Sequence, residues 1–343
     1  MEKKEKKVYI EILRMAATFA VVFLHINMTL VENYTSDELG FFNFAVFNDG
    51  YICVKWAVPC FIMISGVLLL DPARRMDWKK IRKYVVRMLL VLATFGVGYA
   101  LMELVFTQKS FSVPMLFQAV LNTLQGASWS HMWYIYMLIG LYLITIPLRA
   151  VTEKMSGKAL EILVVILILG NFFIPSINTL TGLKLVNFMQ IGEYVTWYLT
   201  GYYLSVTTRK LFVPACIGTV VSLVFMIVSE TVLVCQTGEA FALNHQTSNV
   251  FTLVLGASVF ILFKHIFERK QAIHPVVRLI CRTSFGIYLI HPLFINFIYK
   301  VLHITPLSFP IAAGIAVIFT VVFTLSLATA FVLKKIPLVK NLL

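Results

Sequence analysis

Apolar runs of about 20 residues recur along the whole chain, and they constrain its fold more than any other feature. A run of that length is what an α-helix needs to cross the roughly 30 Å hydrocarbon core of a bilayer. Only 13% of the 343 residues are charged, against about 25% in a soluble globular protein. Alternating segments of about ten residues, which a membrane barrel would need, are absent from the sequence. The chain is therefore predicted to be an all-α, polytopic membrane bundle.

Ten transmembrane helices are predicted, at residues 8–31, 51–70, 82–106, 131–149, 159–177, 188–206, 211–235, 249–267, 283–301 and 308–333. The distribution of basic residues supports this number. With the N-terminus in the cytoplasm, the inner segments hold all of the 29 Lys and Arg residues except Arg14 and four outer lysines. An odd number of spans would scramble this division, so both termini are predicted to be cytoplasmic, in a multi-pass protein of the inner (cytoplasmic) cell membrane.

Loop lengths and residue usage exclude several other classes of protein. No loop is long enough for a soluble domain, so a single membrane domain is predicted over residues 1–343. The net charge of +13 comes from basic residues that flank the spans, which favours membrane lipids over nucleic acid as a partner. The five cysteines form no CxxC pair and the histidines lack ligand-like spacing, so we expect neither a disulfide framework nor a metal site.

The first span is almost wholly apolar but keeps Glu11, Arg14 and His25. Ionisable groups inside a bilayer are costly and usually functional. Eleven helical steps of about 100° place Arg14 and His25 on one face, about 16 Å apart along the axis. Arg14 either extends to the membrane surface beside Glu11 or binds phosphate, whose oxygens match the guanidinium fork. His25 lies too deep to reach the surface, so it is either hydrogen-bonded in the bundle or carries a proton.

Two features near the cytoplasmic side allow a structural and a ligand-binding interpretation. Ser65 and Gly66, at about the depth of Arg14, either let helices pack closely or leave room for a narrow ligand chain. The next segment carries seven basic residues, which are Arg74, Arg75, Lys79, Lys80, Arg82, Lys83 and Arg87. They either attract anionic lipid head groups, at about 1 kcal/mol per residue, or bind a phosphorylated cytosolic molecule.

Polar groups also mark the fourth and ninth spans. Ser284, Tyr288 and His291 fall at i, i+4 and i+7, which is one helix face, with His291 near mid-membrane. His131 and Trp133 begin the fourth span. They belong either to an ordinary aromatic belt or to a site that meets a substrate from outside.

Several of these pieces occur together in a known family. Five segments carry the resemblance, which are E-x-x-R with R-x10-H in the first span, VPCFIMISG in the second, HMWYIYMLIGLYLITIPLR in the fourth, WYLTGYYL in the sixth and SFGIYLIHPL in the ninth. In their order and spacing over nearly the whole chain, the sequence resembles the acyltransferase-3 family of integral membrane acyltransferases, which includes polysaccharide and peptidoglycan O-acetyltransferases. The family usually has Asp where Glu11 stands. It also often has an R-x-x-R pair entering the third span, where only Arg87 fits here.

The resemblance implies an enzyme that transfers acyl groups other than amino-acyl groups. Acyl-CoA, most often acetyl-CoA, would dock from the cytosol as the donor, with no metal. Its phosphates would meet Arg14 and the basic segment that includes Arg82, Lys83 and Arg87. Ser65 and Gly66 would then leave room for its chain, and the 16 Å offset between Arg14 and His25 would match the reach of a pantetheine arm.

The acceptor implied by the resemblance is a hydroxyl of an extracytoplasmic or lipid-linked glycan. His25 would act as general base and take the hydroxyl proton during attack on the acyl carbonyl. Tyr288, Ser284 or His291 would orient the acceptor or stabilise the oxyanion. His131 and Trp133 would meet the acceptor on the outer side.

Two other functions remain open. Related membrane domains occur fused to amino-acid racemases and are thought to import serine, so the alternative is a transporter of a small polar solute such as an amino acid. Discontinuous helices in paired halves would favour a transporter, and the sequence shows no convincing inverted repeat. The other alternative is a lipid-binding or structural membrane protein in which these residues only pack.

Overall fold

The computed structural model describes residues 7–186, 192–337 and 339–343, and every regular element in these ranges is a helix. The α-helices in chain order are α1 (Val8–Asn33), α2 (Ser36–Leu39), α3 (Phe41–Cys53), α4 (Ala57–Leu69), α5 (Trp78–Val91), α6 (Val97–Gln108), α7 (Val113–Leu124), α8 (Trp133–Thr152), α9 (Gly157–Ile168), α10 (Ile174–Thr181), α11 (Glu193–Val206), α12 (Phe212–Thr237), α13 (Ala242–His245), α14 (Val250–Phe267), α15 (Pro275–Asn296) and α16 (Ile311–Leu333). Three π-helical turns join or extend them, at Leu92–Gly96, Leu169–Phe173 and Phe297–Val301.

Within the described ranges, nine stretches are long and apolar enough to cross a membrane. They are Val8–Asn33, Phe41–Leu69, Trp78–Gln108, Ser130–Thr152, Gly157–Thr181, Phe212–Thr237, Val250–Phe267, Pro275–Val301 and Ile311–Leu333. The all-α membrane bundle predicted from the sequence is confirmed. The second span starts at Phe41, ten residues earlier than the predicted 51, because the apolar segment FFNFAVFNDGYIC is itself helical.

The remaining predicted span, 188–206, corresponds to α11, and its first four residues lie outside the described ranges. The packing of α1 on α15 indicates whether α11 crosses the membrane. The thiol of Cys281 in α15 donates to the Glu11 carbonyl, and the hydroxyl of Tyr299, in the π-turn that extends α15, donates to the Ile26 carbonyl. The two helices therefore run in the same direction, which requires an odd number of crossings between them. Six of the nine stretches lie between them, so α11 is the helix that would supply the seventh crossing.

Contacts between Cα atoms divide the chain into two compact units. The first unit comprises the described residues up to Asp71 together with Met155–Leu327. In it, α1 packs against α3, α4, α14 and α15, while α12 packs against α3 and α14. Leu13, Val22 and Leu30 of α1 have no exposed surface. Since α1 touches four helices, side chains on several of its faces lie against protein.

Helices α4 and α11 of the first unit approach each other unusually closely. A Cβ atom added to Gly66 would lie 1.9 Å from the Tyr198 carbonyl oxygen. One added to Gly201 would lie 2.3 Å from the Met63 carbonyl oxygen. Real Cβ atoms do not approach backbone oxygens this closely, so glycine at both positions permits this packing.

The second unit comprises Pro72–Lys154 and Ala328–Leu343, with α5 packed on α8 and α6 packed on α7. Helix α5 begins at Trp78 because the Asp77 carboxylate caps it, accepting from the Lys80 backbone N–H at 2.9 Å. The Tyr136 hydroxyl donates to the Thr123 carbonyl and ties α8 to α7. The single domain predicted over residues 1–343 stays a prediction.

Candidate functional site

Two histidines meet in the first unit. The ring centroids of His25 in α1 and His291 in α15 are 4.9 Å apart, with the planes inclined at 53°. His25 is half-buried although Leu24 and Ile26 on either side of it are buried, so its ring keeps accessible surface within a packed helix. The sequence predicted both residues as catalytic, and the fold brings them together.

The tautomer of His291 follows from its surroundings. Nδ1 of His291 lies 2.9 Å from the carbonyl oxygen of Ile287, and His291 has no exposed surface. A carbonyl oxygen only accepts hydrogen bonds, so Nδ1 carries the hydrogen. In the neutral ring, Nε2 then bears the lone pair and is the atom able to exchange a proton.

Tyr288 and Ser284 lie on the same helix as His291. The ring of half-buried Tyr288 is 6.4 Å from that of His291, while the buried Ser284 hydroxyl donates to the Cys281 carbonyl at 3.0 Å. Tyr288 therefore belongs to the histidine group. Ser284 lies one turn before Tyr288, and its hydroxyl hydrogen is already used in the bond to Cys281. Its predicted role as a substrate-binding residue stays a prediction.

The structure adds a residue that the spacing did not reveal. The hydroxyl of the buried Tyr299 donates to the carbonyl of Ile26, the residue after His25, at 3.2 Å. Tyr299 is eight residues beyond His291, which in a regular helix would rotate it about 80° away. The π-turn at Phe297–Val301 holds an extra residue and turns Tyr299 back towards the face of His291.

Arg14 lies in the same unbroken helix as His25, so the 16 Å offset expected from helix geometry holds. Arg14 is half-buried, and the Cys281 thiol of α15 donates to the carbonyl of Glu11, about one turn before Arg14. The cationic end and the histidine end of α1 thus face the same neighbouring helix. This is the arrangement that the sequence predicted for one face of α1.

Ser65 and Gly66 have local explanations in the structure. The Ser65 hydroxyl donates to the Phe61 carbonyl of its own helix at 3.0 Å. Gly66 lies at the close contact between α4 and α11, which accounts for glycine at this position. Their predicted part in binding the donor chain stays a prediction.

The predicted phosphate-binding residues of the second unit lie on α5. Arg82 and Lys83 are exposed, whereas Arg87 is half-buried and donates through Nε to the Leu342 carbonyl at 3.0 Å. Two of the three cations are therefore accessible from solution at the start of this helix.

The predicted substrate-binding pair of the second unit differs in accessibility. His131 is 3% exposed and lies edge-on to the Tyr99 ring at 5.3 Å, whereas Trp133 is 39% exposed. Only Trp133 presents a broad surface to solvent or lipid. His131 supports neighbouring rings.

A buried charge cluster that the sequence analysis missed lies at the end of α12. The carboxylate of fully buried Glu230 accepts from the Phe241 N–H and the Asn244 amide, and it pairs with His245 at 3.1 Å. Lys55 donates to the Asn244 carbonyl. These bonds fasten the segment around α13 to α12 and to residue 55.

A comparison with protein families shows which family the chain belongs to. A family model described as an acyltransferase domain matches residues 7–331 of the 343. The chain belongs to this acyltransferase family. The resemblance predicted from the sequence motifs is thereby confirmed, and together with the apolar helices it makes the protein a multi-pass membrane acyltransferase. No curated protein and no solved structure matches the acyltransferase.

The match leaves the finer sequence-based predictions open. Neither the acyl donor, the acceptor nor the role of any residue follows from it. Among the described residues, no group of three or more His, Cys, Asp and Glu side chains is arranged to hold a metal ion.

Proposed function

We propose that this acyltransferase transfers an acetyl group from cytosolic acetyl-CoA to a hydroxyl of an extracytoplasmic or lipid-linked glycan, in the inner (cytoplasmic) membrane. The observation that carries the proposal is the pair of His25 and His291, with ring centroids 4.9 Å apart. A general base at this depth suits a reaction in which donor and acceptor arrive from opposite sides of a membrane.

Binding of the CoA phosphates is assigned to basic side chains. Arg14 lies about 16 Å from His25 along α1, and its planar fork suits the phosphates of CoA. On α5, exposed Arg82 offers a planar fork and exposed Lys83 a point charge, and both suit phosphate oxygens. With phosphates held at Arg14, a flexible pantetheine arm would carry the thioester towards His25.

The proton transfer is assigned to the histidine pair. A ring nitrogen of His25 takes the proton of the acceptor hydroxyl as the oxygen attacks the thioester carbonyl. The tetrahedral intermediate collapses, the carbon–sulfur bond breaks, and the proton on His25 passes to the departing thiolate. His291, oriented by its Nδ1–H bond to Ile287, holds the His25 ring in place. Tyr288, whose ring lies 6.4 Å from that of His291, is assigned to stabilise the oxyanion.

The test is transfer of radiolabel from acetyl-CoA to extracted glycan by purified protein in lipid nanodiscs. His25→Ala is expected to lower transfer by about 10²–10⁴-fold, the range for loss of a general base, with unchanged amounts of protein in the membrane. The matched control is His303→Asn, because His303 is exposed and Asn tolerates its positive φ of 55°.

The outcomes separate the alternatives. Wild-type transfer in His25→Ala would remove His25 from the mechanism. Absence of transfer by the wild-type protein to any glycan fraction, combined with uptake of a solute into vesicles, would replace the proposal with the transporter.

A further inference from the structure

The second unit contains an aromatic cluster whose members are scattered in the sequence. The rings of Tyr99 and Trp129 stack with centroids 4.4 Å apart and planes within 13° of each other. The Trp129 indole N–H donates to Oε2 of Glu103 at 3.1 Å. We call Tyr99, Glu103 and Trp129 the aromatic platform.

Exposure increases through the aromatic platform from its base to its edge. Tyr99 is 4% exposed and lies against His131, which is also buried. Trp129 on top of it is half-buried, and Glu103 is exposed. The platform therefore presents a supported aromatic surface with a carboxylate beside it.

The segment that carries Trp129 is held firmly. The Ser128 hydroxyl donates to the Gly96 carbonyl at 2.8 Å, at the end of the π-turn Leu92–Gly96. Gly126 turns the chain with a φ of 75°, a conformation that residues other than glycine rarely adopt. π-Turns are frequent at functional sites, where they redirect the backbone groups of a helix.

We propose that the aromatic platform binds one sugar ring of the glycan acceptor, an inference that rests on the proposed function. One face of a pyranose carries C–H groups that pack on a flat aromatic surface. Its rim hydroxyls donate to a carboxylate such as that of Glu103. The chief rival ligand, an organic cation, is bound by rings that surround the charge. Rings that stack within 13° form a flat surface and favour the sugar.

The position of the aromatic platform suits an acceptor from outside. Glu103 lies 23 residues beyond Lys80 in the stretch Trp78–Gln108, about 35 Å along the helix axis. The basic residues at the start of this stretch favour the cytoplasmic side. The platform at the other end would then face the side where an extracytoplasmic glycan is found.

The experiment measures binding of tetrasaccharides of glucose, galactose, mannose, rhamnose and N-acetylglucosamine to the full-length protein in nanodiscs, with tetramethylammonium as the cation probe. We expect saturable binding of at least one sugar. Trp129→Ala should weaken it by about tenfold or more, which corresponds to about 1.4 kcal/mol. Trp129→Phe should lose less, because it keeps a ring. The matched control is Trp78→Ala, which removes an exposed tryptophan at the basic end of the same stretch.

Three results would overturn the inference: no tetrasaccharide binding by the wild-type protein, equal loss in Trp78→Ala, or Trp129-dependent binding of tetramethylammonium alone.

Acyl transfer is measured in the same preparations. Transfer to glycan with an unchanged KM in Trp129→Ala would reject the aromatic platform and leave the proposed function intact. Trp129-dependent sugar binding without transfer from acetyl-CoA would keep the aromatic platform and reject the proposed function.

Discussion

At the scale of single residues, the histidine pair is held by groups that do not themselves react. The Ile287 carbonyl selects the tautomer of His291, and the Tyr299 hydroxyl anchors the backbone next to His25. The His25 carbonyl also accepts from the Thr29 hydroxyl at 2.7 Å. The two bonds to α1 fix the backbone from which the His25 ring extends, because breaking either would leave a buried polar group unpaired.

Arg14 supports a prediction about donor binding. Arg14→Ala should weaken CoA binding by about 10–100-fold, in line with the loss of a charge-assisted hydrogen bond to phosphate of 1.5–3 kcal/mol. Arg14→Lys should recover part of the loss, because the charge remains but the planar fork does not. Isothermal titration of CoA into the protein in nanodiscs measures both.

The control for this measurement is Arg278→Ala. Arg278 is exposed in the first turns of α15, the neighbour of α1. We expect wild-type affinity in this variant. Wild-type affinity in Arg14→Ala as well would refute the role proposed for Arg14.

At the scale of helices, regular geometry explains which residues the sequence predicted and which it missed. Arg14, His25 and His291 lie in regular α-helix, where a rotation of about 100° per residue makes spacing informative. Tyr299 lies in a π-turn, which no residue pattern marks, so its contact with α1 was missed. Lys55 and Glu230 are far apart in the sequence and are brought near each other by tertiary packing around Asn244. Helical spacing carries no information about such pairs.

The close contact of α4 and α11 supports a prediction about stability. Gly66→Ala should lower the free energy of unfolding by about 1–3 kcal/mol or more, because the new methyl group would collide with the Tyr198 carbonyl. Gly140→Ala is the control, since a Cβ there meets nothing within 4 Å. It should raise stability by about 0.5–1 kcal/mol, the cost of glycine within a helix. Thermal unfolding in detergent measures both, and equal stability of the two variants would contradict the close packing.

At the scale of the whole molecule, charge and packing agree on the number of crossings. The sequence predicted ten from its apolar runs, with support from the distribution of Lys and Arg, and the parallel packing of α1 on α15 is consistent with this number if α11 crosses as well. The predicted location of both termini in the cytoplasm stays a prediction.

This topology predicts which positions a reagent outside the cell can label. In a cysteine-free background, Ser110→Cys should react with a membrane-impermeant maleimide in intact cells, whereas Lys79→Cys should react only after permeabilisation. Lys79 lies at the start of the stretch Trp78–Gln108 and Ser110 lies just beyond its end, so each position serves as the control for the other. Reaction in the reverse order would invert the orientation that the basic residues favour.

The side-by-side course of α1 and α15 links the two ends of the proposed reaction. Bonds from α15 and from the π-turn that extends it reach the carbonyls of Glu11 and Ile26, on either side of Arg14 and His25 along α1. If one helix slid past the other by a single turn, about 5.4 Å, both bonds would break together. Arg14 and His25 therefore keep their places beside α15, and in the proposed reaction their separation along α1 would select donors by the length of their linker.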